Sequence, residues 1–521
     1  MSKEIDMVKN IEDVAIVLNP CSDNVAVAKK DISAGVPLEF EHGIIEIKNL
    51  IKTGQRFSLM DINEDEFVKQ YGFPFGRSKG IKKGDLISTE NIENVLPEVN
   101  FANYTPPTVT EFKGKYLNRT FRGYNRKNGR VGTRNYYLIV PTSMCASETA
   151  LQVALSLENS GEILKKYSNI DGIAAIPHTE GCGCDSGLQI DRLMTTLKGY
   201  VCHPNVGGCL LMDLGCEQTN YEKMYAYLKD YIQDDFKPVD WITIQESGGT
   251  RSAIEKAITV IKNRLTEVNR VKREDVPIAK LIVGTECGAS DSFSGITANP
   301  IIGSAVDKVI YGGGSAILSE VTEMVGTLEM LLPRFRSLET LSKFKQIVEW
   351  YTKIAEKLGL TLEPNLVPEN IEGGLINNYI KSLGAVIKGG STVIEDVLDY
   401  AEPVKKSGLS IMQGPGNDPE SITGMVAAGA SIICFSTGKG TTTGDAICPV
   451  IKIASTDDTY KKLPEDMDFN GGRVLSGNFG INVLGEELLD KIIAVTSGEK
   501  TWSEKWKQRQ FQVWTAGKLS L

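Results

Sequence analysis

The chain has 521 residues, of which 41% are apolar and 24% charged, with 51 glycines and a formal net charge of -9. This is the composition of a folded, loop-rich globular protein of two to four domains, and it excludes disorder as an overall description. The negative balance carries no block of like charges and no basic stripe, which argues against nucleic acid and membrane as partners and leaves small-molecule chemistry or protein contacts.

The amino terminus, Met1-Ser2-Lys3-Glu4-Ile5-Asp6, lacks the apolar core of a signal peptide, and no apolar run is long enough to span a bilayer. A cytoplasmic protein is expected, and its ten cysteines are then expected as thiols, metal ligands or core residues rather than a disulfide framework. From about Val14 to Leu96, short β-prone pieces alternate with turn signals: Asn24 to Ala28, Ile44 to Ile47, Phe57 to Met60, and Ile81 to Ile87. A stretch from Pro97 to Pro107 has little periodicity and reads as a linker. After Arg122, apolar runs alternate with long amphipathic stretches, the pattern of βα units around a parallel sheet.

Strands are predicted at 136–141, 172–176, 209–214, 241–245, 280–283, 316–318, 409–412, 431–435 and 450–453, with helices at 147–157, 222–232, 251–268 and 338–358. The charged, breaker-containing stretch from Asn269 to Pro277 is a candidate domain boundary. The fold class is therefore α/β: a small all-β module over 10–97, a linker over 98–121, and two α/β domains with largely parallel sheets over 122–270 and 271–521.

Chemically distinctive residues gather just after these strands: Cys145, His178 with Cys182 and Cys184, Cys216 with Glu217, Glu246 with Ser247, Cys287 with Asp291, Glu320 with Glu323, Gly414 to Asn417, and Ser436 to Lys439. Ligands of open α/β sheets bind at the carboxyl ends of strands, so these loops are candidates for one or two shared clefts of an enzyme. The segment Glu286 to Pro300 is the most informative, because it follows an apolar run with small, polar and reactive groups that packing alone does not require.

His178, one of three histidines, stands beside two thiols as a candidate metal ligand or acid/base group; its bland alternative is a loop histidine bonded to backbone. Cys182-Gly183-Cys184 is not a zinc-type pair, and an iron–sulfur cluster would need Cys145, Cys202, Cys209, Cys216 or Cys287 to converge from distant places. Glu320 and Glu323 could bind a hard cation, split into acid and base, or only complement a helix terminus. The glycine-rich loops at 414–418 and 436–444 suit an anion and match neither a Walker loop nor a dinucleotide fingerprint. Arg130 and Arg134 could clamp a carboxylate or pair across a domain contact. His203 is open to a ligand or a capping role, and His42 reads as solvated.

Together these segments resemble the altronate and galactarate dehydratase family of sugar-acid hydro-lyases. The pieces that carry the resemblance are Gly132-Thr133-Arg134-Asn135, His178 with Gly181-Cys182, His203-Pro204-Asn205, Gly215-Cys216-Glu217, Glu286-Cys287-Gly288 with Ser290-Asp291 and Ser294 to Pro300, Glu320 with Glu323, Lys381 to Gly384, Gly416-Asn417 and Phe435 to Gly438. The resemblance implies an amino-terminal β-clip module of the SAF type and a catalytic region that dehydrates an aldonate or aldarate to a 2-keto-3-deoxy acid with a divalent metal, Fe2+ or else Mn2+.

On that reading His178, Glu320, Glu323 and Asp291 are the expected catalytic groups. Arg134, Asn135, Ser294, Asn299, Asn417, Ser436, Thr437 and Lys439 are expected to hold the sugar acid, and His178, Cys182, Cys216, Glu217 and Cys287 the metal. A homodimer is expected. Asn19 and Gln55 replace histidines of the family's β module, the run 364–370 replaces an Asn-Pro-Ser-Pro-Gly-Asn segment, and Lys439 stands where the family has arginine, which bears most on the identity of the acid. A sulfo-lyase of a sulfonated acid such as sulfolactate, and a non-catalytic sugar-acid-binding protein, are the alternatives.

Overall fold

The computed structural model describes residues 8–515, apart from 42, 102–103, 160, 184–186, 234–236, 361–369, 372–373 and 478. His42, Cys184, Asp185 and the run 364–369 therefore lie outside the described residues.

The first module is built of short strands in three small sheets: Ala15–Ile16 with Val25–Ala28 and Arg56–Ser58, Lys9–Asn10 with Pro37–Phe40 and Gly43–Glu46, and Phe67–Gln70 with Phe73–Ser78 and Ile92–Glu93. Ile11, Leu38, Ile45, Ile51 and Phe57 fill one of its two small cores. The piece predicted over 81–87 is not a strand. Ile81 and Leu86 each make a single bridge, because the Lys82 N–H donates to Asp85 and Gly84 takes φ 85°, turning the chain between them.

The second unit is a four-stranded parallel sheet. Its elements are β1 (Tyr136–Pro141), α1 (Met144–Asn159), β2 (Gly172–Ala175), α2 (Leu188–Val201), β3 (Val206–Asp213), α3 (Tyr221–Gln233), β4 (Val239–Thr243) and α4 (Thr250–Val268). The strand order is β2-β1-β3-β4. Every residue of β1 and β3 is buried, as expected of strands covered by helices on both faces.

The third unit is a seven-stranded parallel sheet of order β7-β8-β6-β5-β9-β10-β11. It runs through β5 (Ile282–Gly288), α5 (Ala298–Tyr311), β6 (Ser315–Leu318), α6 (Leu338–Lys357), α7 (Asn378–Val386), β7 (Ile394–Leu398), β8 (Gly408–Met412), α8 (Asp418–Ala427), β9 (Ile432–Thr437), β10 (Val450–Ala454), β11 (Phe469–Asn470) and α9 (Ile481–Thr496).

The charged stretch read as a boundary contains the strand Arg273–Pro277, which pairs antiparallel with Thr120–Asn125 and so ties the entry of the second unit to the entry of the third. Helices α2 and α8 touch at Gly199, where a Cβ would come within 2.4 Å of the Ala427 carbonyl oxygen. That close approach, possible only for glycine, sets the second and third units side by side. No helix among the described residues is long and apolar enough to cross a membrane.

Candidate active site

In the third unit the chain leaves β5 for β6 on one side and later returns to β9 on the other, so β5 lies at the sheet's switch point. Its last residues carry the chemistry. Successive strand residues point to opposite faces, so Glu286 meets α8, where the Ser421 hydroxyl donates to Glu286 Oε2 at 2.6 Å. Cys287 meets Lys388 just past α7, the Nζ donating to Sγ at 2.9 Å. Gly288 follows, and a Cβ there would lie 2.4 Å from Asp418 Oδ2, so the missing side chain is what lets the Asp418 carboxyl reach the strand end.

Glu320 closes the group from the end of β6. It has φ 66°, a left-handed conformation that costs of order 1–3 kcal/mol for a residue with a Cβ. In this position its carboxylate pairs with Lys388, and both side chains are fully buried. Glu323, on the turn that follows, pairs with Lys381 at 2.8 Å and approaches Cys287 Sγ at 3.5 Å.

Burial alone would lower the Lys388 ammonium, but Cys287, Glu320, Glu323 and Glu286 carry it well above its usual value. Lys381 is likewise raised against its burial, chiefly by Glu323. Burial and then Glu320 push the Cys287 thiol well up, so it stays protonated at neutral pH. Burial, with the charges of Glu320 and Asp418, holds Glu286 well above the carboxylate range, and burial with Glu320 and Glu323 raises Asp418 to about 7.

The ligand atoms of Cys287, Glu320 and Glu323, and those of Glu286, Glu320 and Asp418, lie within 4.8 Å of one another, compact enough for an ion. Lys388 and Lys381 pair with Glu320 and Glu323, so a divalent ion held by Cys287, Glu320, Glu323, Glu286 or Asp418 would take the place of a lysine ammonium beside these carboxylates.

Beside this cluster is a pocket whose lining includes Arg56, Cys287, Ser290, Ser294, Asn299 and Lys381. Arg56 comes from the first module and is buried. Its Nε donates to Gln70 at 2.9 Å, and its Nη1 donates to Ser292 Oγ at 2.9 Å and to the Gly374 carbonyl at 2.7 Å. Among the described residues no carboxylate pairs with it, and burial lowers its guanidinium to about 10. A buried, uncompensated cation in a pocket is a ready anion anchor.

Of the residues singled out in the sequence, Cys287, Glu320 and Glu323 join this site, and Ser294 and Asn299 line its pocket. Ser436 is one step behind, donating to Asn299 Oδ1. Asp291 borders the pocket, but its Oδ1 accepts from the N–H groups of Phe293 and Ser294 and from the Ser294 hydroxyl, which makes it a turn-former rather than a free base. Thr437 accepts from the Gly440 N–H, while Lys439 is exposed. Asn417 is exposed just before α8.

Arg134 and Asn135 lie outside this pocket, which corrects their expected role. Both precede β1, at the amino end of the strand and away from the ligand end. Arg134 is fully buried in a two-point pair with Glu504 at 2.6 and 2.8 Å, and the Asn135 amide donates to the carbonyls of Asn169 and Val268.

His178 is also corrected as a base or ligand. Its Nδ1 accepts the Glu180 N–H at 3.2 Å and its Nε2 donates to the Pro141 carbonyl at 2.9 Å, leaving neither nitrogen free, and burial lowers its affinity for a second proton. His203 is saturated in the same way. The Glu217 carboxylate is spent on the N–H groups of Leu214 and Gly215 and the Ser143 hydroxyl, so it braces loops and is corrected as a metal ligand. Cys182 and Cys216 are exposed on loops of the second unit, as is Cys145, and do not join this site.

Sequence reasoning missed Arg56, Lys381, Lys388 and Asp418 as site residues. A signal existed for the lysines: seven residues apart in an otherwise apolar segment, they fall on one helical face.

Models of one family cover three stretches of the chain: an altronate/galactarate dehydratase SAF domain over 13–95, the second domain of D-galactarate dehydratase/altronate hydrolase over 123–269, and the carboxyl-terminal D-galactarate/altronate dehydratase domain over 278–519. The chain is 33% identical over 497 residues to an altronate dehydratase of Bacillus subtilis (strain 168), covering 95% of this chain and 97% of that one. It is 30% identical to a galactarate dehydratase (L-threo-forming) of Escherichia coli (strain K12), covering 93% of each. It is also 30% identical over 404 residues to the beta subunit of a (2R)-sulfolactate sulfo-lyase of Chromohalobacter salexigens, covering 77% of this chain and 97% of the subunit.

Proposed function

The chain belongs to the D-galactarate/altronate dehydratase family of hydro-lyases, and from that premise we propose that it dehydrates a sugar acid, altronate ahead of galactarate, to a 2-keto-3-deoxy acid. The observation that carries this reading is the uncompensated guanidinium of Arg56, which shares a pocket with Lys381 and Cys287 beside four carboxyl groups.

The sugar-acid carboxylate binds Arg56 and Lys381, which places C2 against the Glu323 carboxylate. Glu323 removes the C2 proton, and the two cations stabilise charge that develops on the carboxylate as the enolate-like state forms. Asp418, raised to about 7, holds a proton near neutral pH and gives it to the departing 3-hydroxyl. Loss of water leaves an enol that becomes the 2-keto acid. Lys388 and Glu320, both fully buried, fix the Cys287 edge of the pocket without touching substrate.

The test is an anaerobic assay of aldonates and aldarates, with ferrous iron or manganese supplied, that detects 2-keto-3-deoxy product. Turnover of altronate, reduced about 10²–10⁴-fold in Glu323→Gln, is expected; no turnover across the panel would remove the proposal. The similarity to the sulfo-lyase subunit supports a second reading, expulsion of sulfite from a sulfonated hydroxy acid, and sulfite released from sulfolactate in the same assay would select it.

A further inference from the structure

A second cavity, of about 320 Å³, lies between the second and third units and has no part in the chemistry above. On the third unit it is lined by Ile282 and Ser315, which open β5 and β6, and by Ser407 and Ser431, which directly precede β8 and β9. These four strands are neighbours in the sheet, and Cys287 and Glu320 stand at or just past the other ends of β5 and β6. The cavity is therefore at the amino end of the sheet, opposite the active site.

Its charge is one-sided. Arg130 reaches it from the segment ahead of β1, and Lys280, Lys405 and Lys406 from the third unit, while no carboxylate among the described residues lines it. In a chain whose net charge is -9, four such cations run against the overall balance. Lys405 and Lys406 are answered from outside the lining, by Glu402 at 3.9 Å and Asp396 at 3.1 Å. The Lys280 ammonium donates to the Gly129 carbonyl at 3.3 Å and Arg130 Nη1 to the Cys202 carbonyl at 3.2 Å, and among the described residues no carboxylate pairs with either.

The guanidinium of Arg130 is held in place by the fold. It lies over Gly429, where a Cβ would come within 2.7 Å of Nη2 and where φ 111° itself favours glycine. Two more cations stand close by. Arg126 Nε donates at 2.7 Å to the carbonyl of Pro204, itself a lining residue, and Lys237 Nζ donates to the carbonyls of His203 and Val206 at 2.9 and 2.8 Å. Neither pairs with a carboxylate among the described residues, and burial, with the charges of Arg126 and Arg130, lowers the Lys237 ammonium to about 7. Cations crowded in this way around a cleft with low-dielectric walls focus a positive potential into it, and an anion relieves their repulsion.

The lining also limits what the anion can be. Lysine supplies a point charge and arginine a two-point fork, a combination suited to phosphoryl oxygens. No aromatic ring among the described residues lines the cavity, so nothing there selects a nucleobase. Its volume is at the small end of the roughly 300–1,000 Å³ usual for small-molecule sites.

We propose that this cavity binds a small phosphoryl compound of two or more negative charges, of the size of pyrophosphate. The ligand joins Arg130, at the entry of the second unit, to Lys280, Lys405 and Lys406 of the third, and so clamps the two units at the end of the sheet remote from Arg56 and Lys381. The proposal does not rest on the dehydration.

The full chain is titrated with inorganic pyrophosphate by calorimetry at fixed ionic strength, which holds screening constant, and its Tm is followed over the same concentrations. Saturable binding and a Tm that rises with pyrophosphate are expected. The affinity should fall about tenfold or more in Arg130→Gln and in Lys405→Gln with Lys406→Gln, since each loses charge-assisted hydrogen bonds to the ligand. Lys461→Gln with Lys462→Gln removes the same charge as the second of these from an exposed helix end outside the cavity and should bind as the wild type does. Lys405 and Lys406 are themselves exposed, so their double variant should keep the wild-type circular dichroism. No saturable binding, or an equal loss in the Lys461 and Lys462 variant, overturns the proposal; citrate binding more tightly than pyrophosphate overturns the phosphoryl assignment.

Discussion

Glu286 and Asp418 are each held toward the protonated form by burial beside Glu320, while the two lysines pair directly with Glu320 and Glu323. Asp418 is raised from 3.8 to about 7, so between those values the native state holds a proton that the unfolded chain has released. The sign follows: stability falls as pH rises from about 4 to about 7, and activity that needs the Asp418 proton falls as pH passes about 7. Asp418→Asn should flatten the first dependence, seen in Tm against pH, and lower kcat about 10²–10⁴-fold. A variant with the wild-type pH–rate profile would remove Asp418 as the acid. Glu320, Glu323, Lys381 and Lys388 all face this group, so the observed midpoint belongs to the set.

At the scale of elements, strand ends do different work at their two ends, and the sequence told them apart better than the motif did. The strands were legible because parallel strands buried on both faces read as apolar runs, and the polar residues read as following β5 and β6 do lie at the carboxyl ends of those strands. Arg134 was misread because its motif suggested an anion clamp, although its position before β1 already put it at the opposite end. There it braces the carboxyl-terminal segment through Glu504. Arg134→Met should therefore cost about 3–5 kcal/mol in denaturant unfolding, by leaving Glu504 buried and unpaired, while Arg134→Met with Glu504→Met should recover most of that loss. A single variant within 1 kcal/mol of wild type would refute the bracing role. His178 was misread for a related reason: residue type announces an imidazole, but only the folded loop shows both nitrogens bonded to backbone.

Over the whole molecule, the carboxylates and lysines at the strand ends of the third unit gather into one group, and the exposed thiols on loops of the second unit do not join it. The first module completes the carboxylate side. Arg56 bonds to Ser292 across 236 positions of sequence, a contact that no local pattern announces, because a lone arginine in a β-prone run reads as an exposed strand residue. The glycine-rich loop at 436–444, expected to bind the anion, instead supports the pocket from behind through Ser436 and Asn299. The account stands or falls on the Arg56 pocket, and the most direct measurement is a crystal structure of the protein with altronate bound. The predicted result is a sugar-acid carboxylate hydrogen-bonded to Arg56 and Lys381 with C2 beside Glu323; a carboxylate bound elsewhere, with Arg56 still facing only Gln70, Ser292 and backbone carbonyls, would contradict it.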